Sequence, residues 1–434
     1  MPQSKYIDAT TKRFILAVFS VLALLPGCAS NTTHRTNLAA ACAIGDKSCN
    51  ASLELSGRHI DDSPVALAFV EINDQGLLRE RGHLDRARDL IIRRGQRGDQ
   101  TVMLFVHGWH NNALADNGNV ETFRRLLQRY SKQFPEKAVT GVYVGWRGDS
   151  WLAPSEISFW NRKDVSIEVG QGALVDILSE VEKASIDTDS RMLSIGHSFG
   201  GSALFNATRS VLLSRLDSPP AALAHERFPM HAAVGDLIVI VNPAFEAMQY
   251  WPLHSATLDR LGRQAPVLNR GPRMVILQGQ KDWATRFAFP AGRSLSIPFE
   301  SHVADSDSMD SGRNVSEWDL DLYAIGHFKE LNTHDLRVSS DDVADYSSCG
   351  RDVDPHGFTH GEWTSPNARV QLKPGPHFVA GDPFWVVYDT VLSSGHNDLE
   401  DGRLTCMVAD LLNTNTKFEP RLFNSLRKKL GHAE

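Results

Sequence analysis

Short apolar runs alternate with amphipathic stretches along most of the chain. The apolar runs predict strands, which cover Val65–Ile72, Thr101–Val106, Val139–Val144, Arg191–Ile195, Leu237–Val241, Arg273–Leu277 and Phe384–Tyr388. Apolar residues at helical spacing predict helices, which cover Leu84–Arg93, Glu121–Phe134, Val165–Lys183, Ala203–Leu216 and Leu404–Leu412. Strands that are apolar throughout and separated by helices are typical of a parallel sheet with both faces covered. The pattern therefore predicts an α/β fold with a mostly parallel, doubly wound sheet.

The first residues have the pattern of an export signal. Cations within residues 1–13 precede an apolar run, Phe14–Leu25, that is too short to cross a hydrocarbon core of about 30 Å as a helix. The run leads into Leu25-Pro26-Gly27-Cys28, which resembles the bacterial lipobox. That resemblance implies cleavage before the cysteine and attachment of lipid to Cys28. We expect residues 1–27 to be a signal peptide.

The polar, small-residue composition of residues 28–60 predicts a flexible tether between lipid and body. Ala29 is compatible with sorting to an outer membrane, so we expect an exported lipoprotein of a bacterial cell envelope. Four further cysteines suit an oxidising compartment. Cys42 with Cys49 is a plausible bridge and Cys349 with Cys406 a possible one, but spacing does not fix the pairing.

The net charge of the chain is −7, and it becomes −9 once residues 1–27, with three cations and one anion, are removed. A mildly acidic chain offers no basic field to a nucleic acid or to acidic membrane lipid, so nucleic acid is not an expected partner. Membrane contact is expected through the lipid on Cys28.

The chemistry of the chain centres on Ser198. Gly196-His197-Ser198-Phe199-Gly200 follows a predicted strand and precedes a predicted helix. This context is what the G-x-S-x-G nucleophile elbow requires, because the serine lies on a tight turn that side chains at the flanking positions would obstruct. Ser198 is therefore the candidate nucleophile. The backbone N–H of Phe199 is a candidate donor for an oxyanion hole.

Other candidate residues follow the carboxyl ends of the predicted strands, where ligands bind in such sheets. His107-Gly108-Trp109 offers the N–H of Trp109 as the second oxyanion donor, and His107 is expected to be structural. Asp282 follows the strand Arg273–Leu277. Four tryptophans of these loops predict an apolar pocket: Trp109, Trp146, Trp151 and Trp283.

With these motifs, residues 64–290 and 382–414 resemble the α/β-hydrolase superfamily, and more narrowly exported bacterial hydrolases of esterase or lipase type. The resemblance implies one hydrolase domain, 61–434, with a long insertion at about 287–380 before the last strand, a candidate lid. It also implies the order serine, acid, histidine along the chain, with Asp282 as the acid. The reaction implied is ester hydrolysis through an acyl-enzyme, without a cofactor, on a small ester or a lipid.

The general base is ambiguous in the sequence. His396, in Gly395-His396-Asn397, lies between the last predicted strand and the last helix, where the superfamily places its base, and we favour it. His327 is the alternative, and His334 remains a third candidate. Choosing His327 would leave about a hundred residues with no assigned place, including a well-defined strand.

Two further interpretations of the chain remain. His356, His360 and Glu362 superficially suggest a metal site, but Pro355 and Gly357 favour a loop, so no metal is expected.

The same scaffold would also serve an acyltransferase, a lipase acting on the membrane that anchors it, or an envelope-binding lipoprotein without catalysis.

Overall fold

The computed structural model describes residues 32–148, 159–216, 234–263, 271–302, 315–338, 349–350, 361–365, 370–390, 395–397, 399 and 401–416. The predicted signal peptide, 1–27, and Cys28 lie outside these ranges, as do Trp151, His356 and His360. Among the residues that are described, no helix combines the length and the apolar character needed to cross a membrane.

One sheet runs through the described part of the chain. Its strands are β1 Cys42–Ala43, β2 Leu53–Leu55, β3 Val65–Glu71, β4 Gln100–Val106, β5 Ala138–Gly145, β6 Arg191–His197, β7 Leu237–Val241, β8 Met274–Gly279, β9 His334–Val338, β10 Trp363–Ser365, β11 Val370–Pro374 and β12 Phe384–Asp389. Their order is β1-β2-β3-β5-β4-β6-β7-β8-β12-β9-β11-β10. All neighbours from β3 to β9 in this order pair in parallel.

Helices cover both faces of the sheet. They are α1 Arg81–Gly95, α2 Gly118–Gln133, α3 Phe159–Gln171, α4 Ala173–Asp187, α5 Phe199–Leu216, α6 Ala247–Arg263, α7 Phe289–Arg293, α8 Glu317–Leu322 and α9 Gly402–Thr416. Strand β4 shows how the core divides: Val102, Leu104 and Val106 pack with α1 and α3 to α6, whereas Met103 and Phe105 pack with α2 and α9. Side chains alternate between faces with the period of a strand, and every residue of β4 is buried. The expected α/β fold class, with a mostly parallel sheet and helices on both faces, is confirmed.

The helix predicted over Val165–Lys183 is two helices, α3 and α4, which meet at Gly172. A Cβ at Gly172 would lie 2.3 Å from the carbonyl oxygen of Gly76, and the N–H of Ala173 donates to that same oxygen at 2.7 Å. The close approach of the loop after β3 thus interrupts the helix. Apolar periodicity continues across Gly172, so the break is not visible in the pattern.

The long insertion before the last strand extends the sheet. Strand β9 pairs in parallel with β12, and β11 and β10 follow it as antiparallel neighbours. A disulfide between Cys349 and Cys406 ties the insertion to α9. Residues that were expected only as a candidate lid therefore supply three strands at one edge of the sheet.

The prediction of a flexible tether over residues 28–60 has to be corrected. The described part of this segment belongs to the fold. Strands β1 and β2 join the sheet, and a disulfide links Cys42 to Cys49. Arg35 is completely buried, with its Nη1 3.0 Å from Glu54 Oε1 and its guanidinium 3.5 Å from the centre of the Phe69 ring. The polar composition suggested solvent exposure, but these polar side chains are paired with one another inside the protein.

We expect Arg35→Ala to lower the free energy of unfolding by about 3 kcal/mol, because it removes a buried partner of the Glu54 carboxylate and a cation over Phe69. Urea unfolding followed by circular dichroism measures this change. The control is Lys47→Ala, which alters an exposed cation of the same segment. Equal stability of the two variants would contradict the packing of this segment.

Candidate active site

Ser198 lies at the sharp turn between β6 and α5. Its φ of +56° is in the left-handed region, which is strained for a residue with a side chain. A Cβ at Gly200 would lie 2.1 Å from the carbonyl oxygen of Val106, and one at Gly196 would lie 2.8 Å from that of Gly200. The two glycines therefore let the start of α5 pass close to β4 and β6. The turn has the local form expected of a nucleophile elbow.

His396 lies between Ser198 and Asp282. Its Nε2 is 2.8 Å from Ser198 Oγ, and its Nδ1 is 2.9 Å from Asp282 Oδ1. A carboxylate accepts hydrogen bonds, so Nδ1 carries the proton and Nε2 is left to accept the Ser198 hydroxyl proton. Of the three candidate histidines, His396 is the one that the structure places against Ser198.

The carboxylate of Asp282 is completely buried and fully hydrogen-bonded. Oδ1 also accepts the backbone N–H of Ala284 at 3.0 Å, and Oδ2 accepts the hydroxyl of Thr285 and, at 3.2 Å, the amide of Gln278. Burial alone would raise the pKa of Asp282, but its contact with His396 and the bonds from Thr285 and Gln278 lower that pKa to about 2. Asp282 is thus a carboxylate at neutral pH.

The alternative bases lie away from Ser198. His327 Nε2 is 3.1 Å from Thr285 Oγ1, so it reaches Asp282 only through that hydroxyl. His334 is buried against the ring of Trp385, with centroids 4.1 Å apart. Burial lowers the pKa of His327 to about 4 and that of His334 to about 3, so both are neutral at pH 7.

Two residues that sequence reasoning did not select hold the backbone of His396. The side-chain amide of Asn242 and Nε2 of His197 both donate to the carbonyl oxygen of His396, each at 2.8 Å. The oxygen of the Asn242 amide accepts the N–H of Gly279 at 2.9 Å, so this side chain links the ends of β7 and β8 to the loop of His396. In the sequence, the role of Asn242 is indicated only by its position, as a polar residue directly after a buried strand.

Phe199 and Trp109 lie together beside Ser198, with ring centroids 5.9 Å apart. Phe199 is the first residue of α5, where an N–H has no partner within the helix and the dipole favours negative charge. Trp109 follows Gly108, at which a Cβ would lie only 2.9 Å from the Cβ of Ser198. The loop after β4 therefore passes directly beside the serine, as an oxyanion-hole loop requires.

His107 fixes that loop. Its Nδ1 donates to the carbonyl oxygen of Gly108 at 2.9 Å, and its Nε2 accepts the backbone N–H of Trp146 at 3.0 Å. The imidazole of His107 and the indole of Trp146 also stack, with ring centroids 5.4 Å apart. Burial lowers the pKa of His107 to about 4, so the imidazole stays neutral and joins the loops after β4 and β5. This is the structural role expected for it.

The tryptophans predicted to line a pocket occupy different environments. Trp146 is buried against His107, and Trp109 is partly buried beside Phe199. Trp283, by contrast, has 67% of its surface exposed. The prediction that Trp283 lines a pocket is therefore corrected. Thr285 and Phe289, which follow it, face inward, whereas Trp283 faces solvent.

One group of possible metal ligands occurs among the described residues: Glu300, His302 and Asp321. Glu300 accepts from Arg293 Nη2 at 3.0 Å, and His302 Nε2 is 2.9 Å from Asp321 Oδ2. These groups are satisfied as ion pairs, and they lie outside the cluster around Ser198. Glu362, the described member of the His-rich motif, is exposed.

No family model matches the chain, and no curated protein matches it. One similar solved structure is the phospholipase PlaB from Legionella pneumophila in complex with thio-NAD, at 13% sequence identity and a TM-score of 0.31. The match covers 76% of this chain and 61% of the phospholipase chain, so it spans less than two thirds of that protein. The fold class rests on the sheet order and helix layers described above.

Gly200→Ala is expected to lower the free energy of unfolding by about 3 kcal/mol or more, because the added methyl group would meet the carbonyl oxygens of Val106 and His107 at 2.1 and 2.4 Å. The matched control is Gly262→Ala in α6, where a Cβ meets nothing within 4 Å. Thermal unfolding of both variants measures the difference. A Gly200→Ala protein as stable as the control would contradict the close approach of α5 to β4.

Proposed function

We propose that the protein is a serine hydrolase that cleaves carboxylic esters through an acyl-enzyme. The observation that carries the proposal is the pair of contacts made by His396, 2.8 Å to Ser198 Oγ and 2.9 Å to Asp282 Oδ1. A hydroxyl in contact with a neutral imidazole, which is itself oriented by a buried carboxylate, is the arrangement that activates a serine for attack on a carbonyl.

In the proposed reaction each group of the cluster acts once in acylation of Ser198 and once in deacylation. Ser198 Oγ attacks the ester carbonyl carbon while His396 Nε2 takes its proton, and the carbonyl oxygen becomes an oxyanion. The backbone N–H groups of Phe199 and Trp109 stabilise that oxyanion. His396 then gives the proton to the departing alcohol, which leaves an acyl group on Ser198. Water repeats the steps and releases the acid, while Asp282 stabilises the imidazolium throughout.

Aromatic side chains beside Ser198 favour an ester with an apolar acyl group. The ring of Phe159 lies 5.4 Å from that of Phe199, 6.0 Å from that of Trp109 and 5.8 Å from that of Phe289. These three phenylalanine rings are buried, so the surroundings of Ser198 are apolar, which suits an apolar acyl group. An acyltransferase would use the same acyl-enzyme with an alcohol in place of water, and analysis of the products with an added alcohol distinguishes the two.

A fluorophosphonate probe is expected to label the protein at Ser198 and to fail on Ser198→Ala, because the probe reacts with an activated serine hydroxyl. His396→Ala should slow labelling about 10³-fold or more, since no other base lies within reach of Ser198 Oγ among the described residues. His327→Ala should label within a few-fold of the unsubstituted chain.

Ser210→Ala is the control for the nucleophile, because Ser210 is an exposed serine on the same helix, α5. Equal labelling of Ser198→Ala and Ser210→Ala would overturn the proposal. Full labelling of His396→Ala together with loss in His327→Ala would assign the base to His327 instead.

We propose that lipid on Cys28, six residues before the described position His34, holds the enzyme on a bacterial cell envelope. Cells fed an alkyne fatty acid should incorporate it into the protein, and Cys28→Ser should abolish incorporation and shift the protein from membrane to soluble fractions. Ser30→Ala, two residues away, is the control. Unchanged incorporation in Cys28→Ser would exclude this residue as the attachment site.

A further inference from the structure

The described chain enters the fold at the carboxyl edge of the sheet, beside the candidate active site. The backbone N–H groups of His34 and Arg35 donate to the Glu71 carboxylate at 3.0 and 2.8 Å. Glu71 is the last residue of β3 and pairs in register with Gly145, the last residue of β5. The six residues from Cys28 to His34 span at most about 20 Å when fully extended. A lipid on Cys28 would therefore hold this edge near the bilayer.

A second feature of the same edge is an exposed aromatic pair after β8. Trp283 and Phe287, four residues apart, expose 67% and 54% of their surfaces. Lys281 and Arg286 are exposed beside them, and the Arg286 guanidinium lies 5.3 Å from the centre of the Phe287 ring. We call these four residues the interfacial segment. Exposed aromatic rings flanked by cations are typical of surfaces that enter the headgroup layer of a membrane.

The two features flank Ser198. In the sheet order β3-β5-β4-β6-β7-β8, Ser198 follows β6, which is three strands from β3 and two from β8. With about 4.8 Å between neighbouring strands, the chain entry lies about 14 Å to one side of Ser198 and the interfacial segment about 10 Å to the other. Both contacts on one bilayer would bring the carboxyl edge, and with it Ser198, toward the lipid surface.

We propose that the interfacial segment docks on an anionic lipid surface, with Trp283 and Phe287 in the headgroup layer and Lys281 and Arg286 on lipid phosphates. This inference rests on the proposed function, which it deepens by naming the substrate as an ester of the membrane lipids themselves. The chain as a whole is acidic, so its attraction to anionic headgroups is local and comes from Lys281 and Arg286 beside the exposed rings. Asp282 and Thr285, which alternate with the exposed residues, face inward and connect the segment to the site.

The first test is fluorescence quenching by brominated lipid. The full chain carrying Ser198→Ala, which consumes no lipid, is bound to vesicles of equal parts phosphatidylcholine and phosphatidylglycerol with brominated acyl chains. Quenching of tryptophan emission is expected, and Trp283→Phe should remove most of it, because Trp283 is the tryptophan placed in the bilayer surface. Quenching that is absent, or unchanged by Trp283→Phe, overturns the proposal.

The second test measures partition of the same full chain, with Cys28→Ser added, onto these vesicles by flotation. Trp283→Ala with Phe287→Ala should weaken binding about tenfold, since both exposed rings are lost. The control is Ile186→Ala, which removes a side chain of similar exposure, 53%, at the end of α4 near the start of β6. Equal binding of the double variant and the control overturns the proposal.

The two proposals fail separately. If the unsubstituted chain fails to label with the fluorophosphonate while quenching of the Ser198→Ala chain is as expected, the hydrolase is rejected and the docking surface is kept. Labelling intact with no effect of the ring substitutions would keep the hydrolase and reject the docking surface. A Cys28→Ser chain that still incorporates fatty acid would reject the anchor alone, because the flotation measurement uses the Cys28→Ser chain and does not depend on that modification.

Discussion

The turn at Ser198 is the constraint on which the rest of the site depends. Ser198 takes a left-handed conformation directly after a buried strand, and Gly200 lets α5 approach the carbonyl oxygens of Val106 and His107 there. The carbonyl of Ser198 accepts the N–H groups of Gly201 and Ala244, which ties the turn to its own helix and to the loop after β7. The packing of several elements thus compensates the local strain, and the serine is held where the loop of Gly108 and Trp109 passes.

The buried carboxylate of Asp282 is the second fixed point. An ion in the interior is costly unless its hydrogen bonds are complete, and here Thr285, Gln278, Ala284 and His396 supply them. Gln278 belongs to β8, and the Asn242 amide joins β8 to the carbonyl of His396. The carboxylate and the imidazole are therefore positioned by the same strand ends, so their distance is set by the sheet and not by a loop alone.

Much of this arrangement was visible in the sequence, because it follows from local rules. Buried parallel strands read as continuous apolar runs, and a G-x-S-x-G string between a strand and a helix marks its turn. The strands before Ser198 and Asp282 were predicted to within two residues at their carboxyl ends. Asn242 was given no role because its partner, the carbonyl of His396, lies far along the chain and no local motif marks the pair. The N-terminal segment was misread because composition reports polarity, whereas Arg35 and Glu54 are polar groups that are buried as a pair.

That misreading changes how the molecule relates to a membrane. A flexible tether of more than thirty residues would let the body rotate freely, and the direction of the active site would carry no meaning. The chain is bound to the fold from His34 onward, six residues after Cys28, so the proposed anchor at Cys28 would restrict which face meets the bilayer. The exposed rings of Trp283 and Phe287 lie at that same edge, where the docking proposal puts them in the headgroup layer. The proposed short attachment and the proposed docking of these rings would therefore give the molecule one orientation, with Ser198 toward lipid.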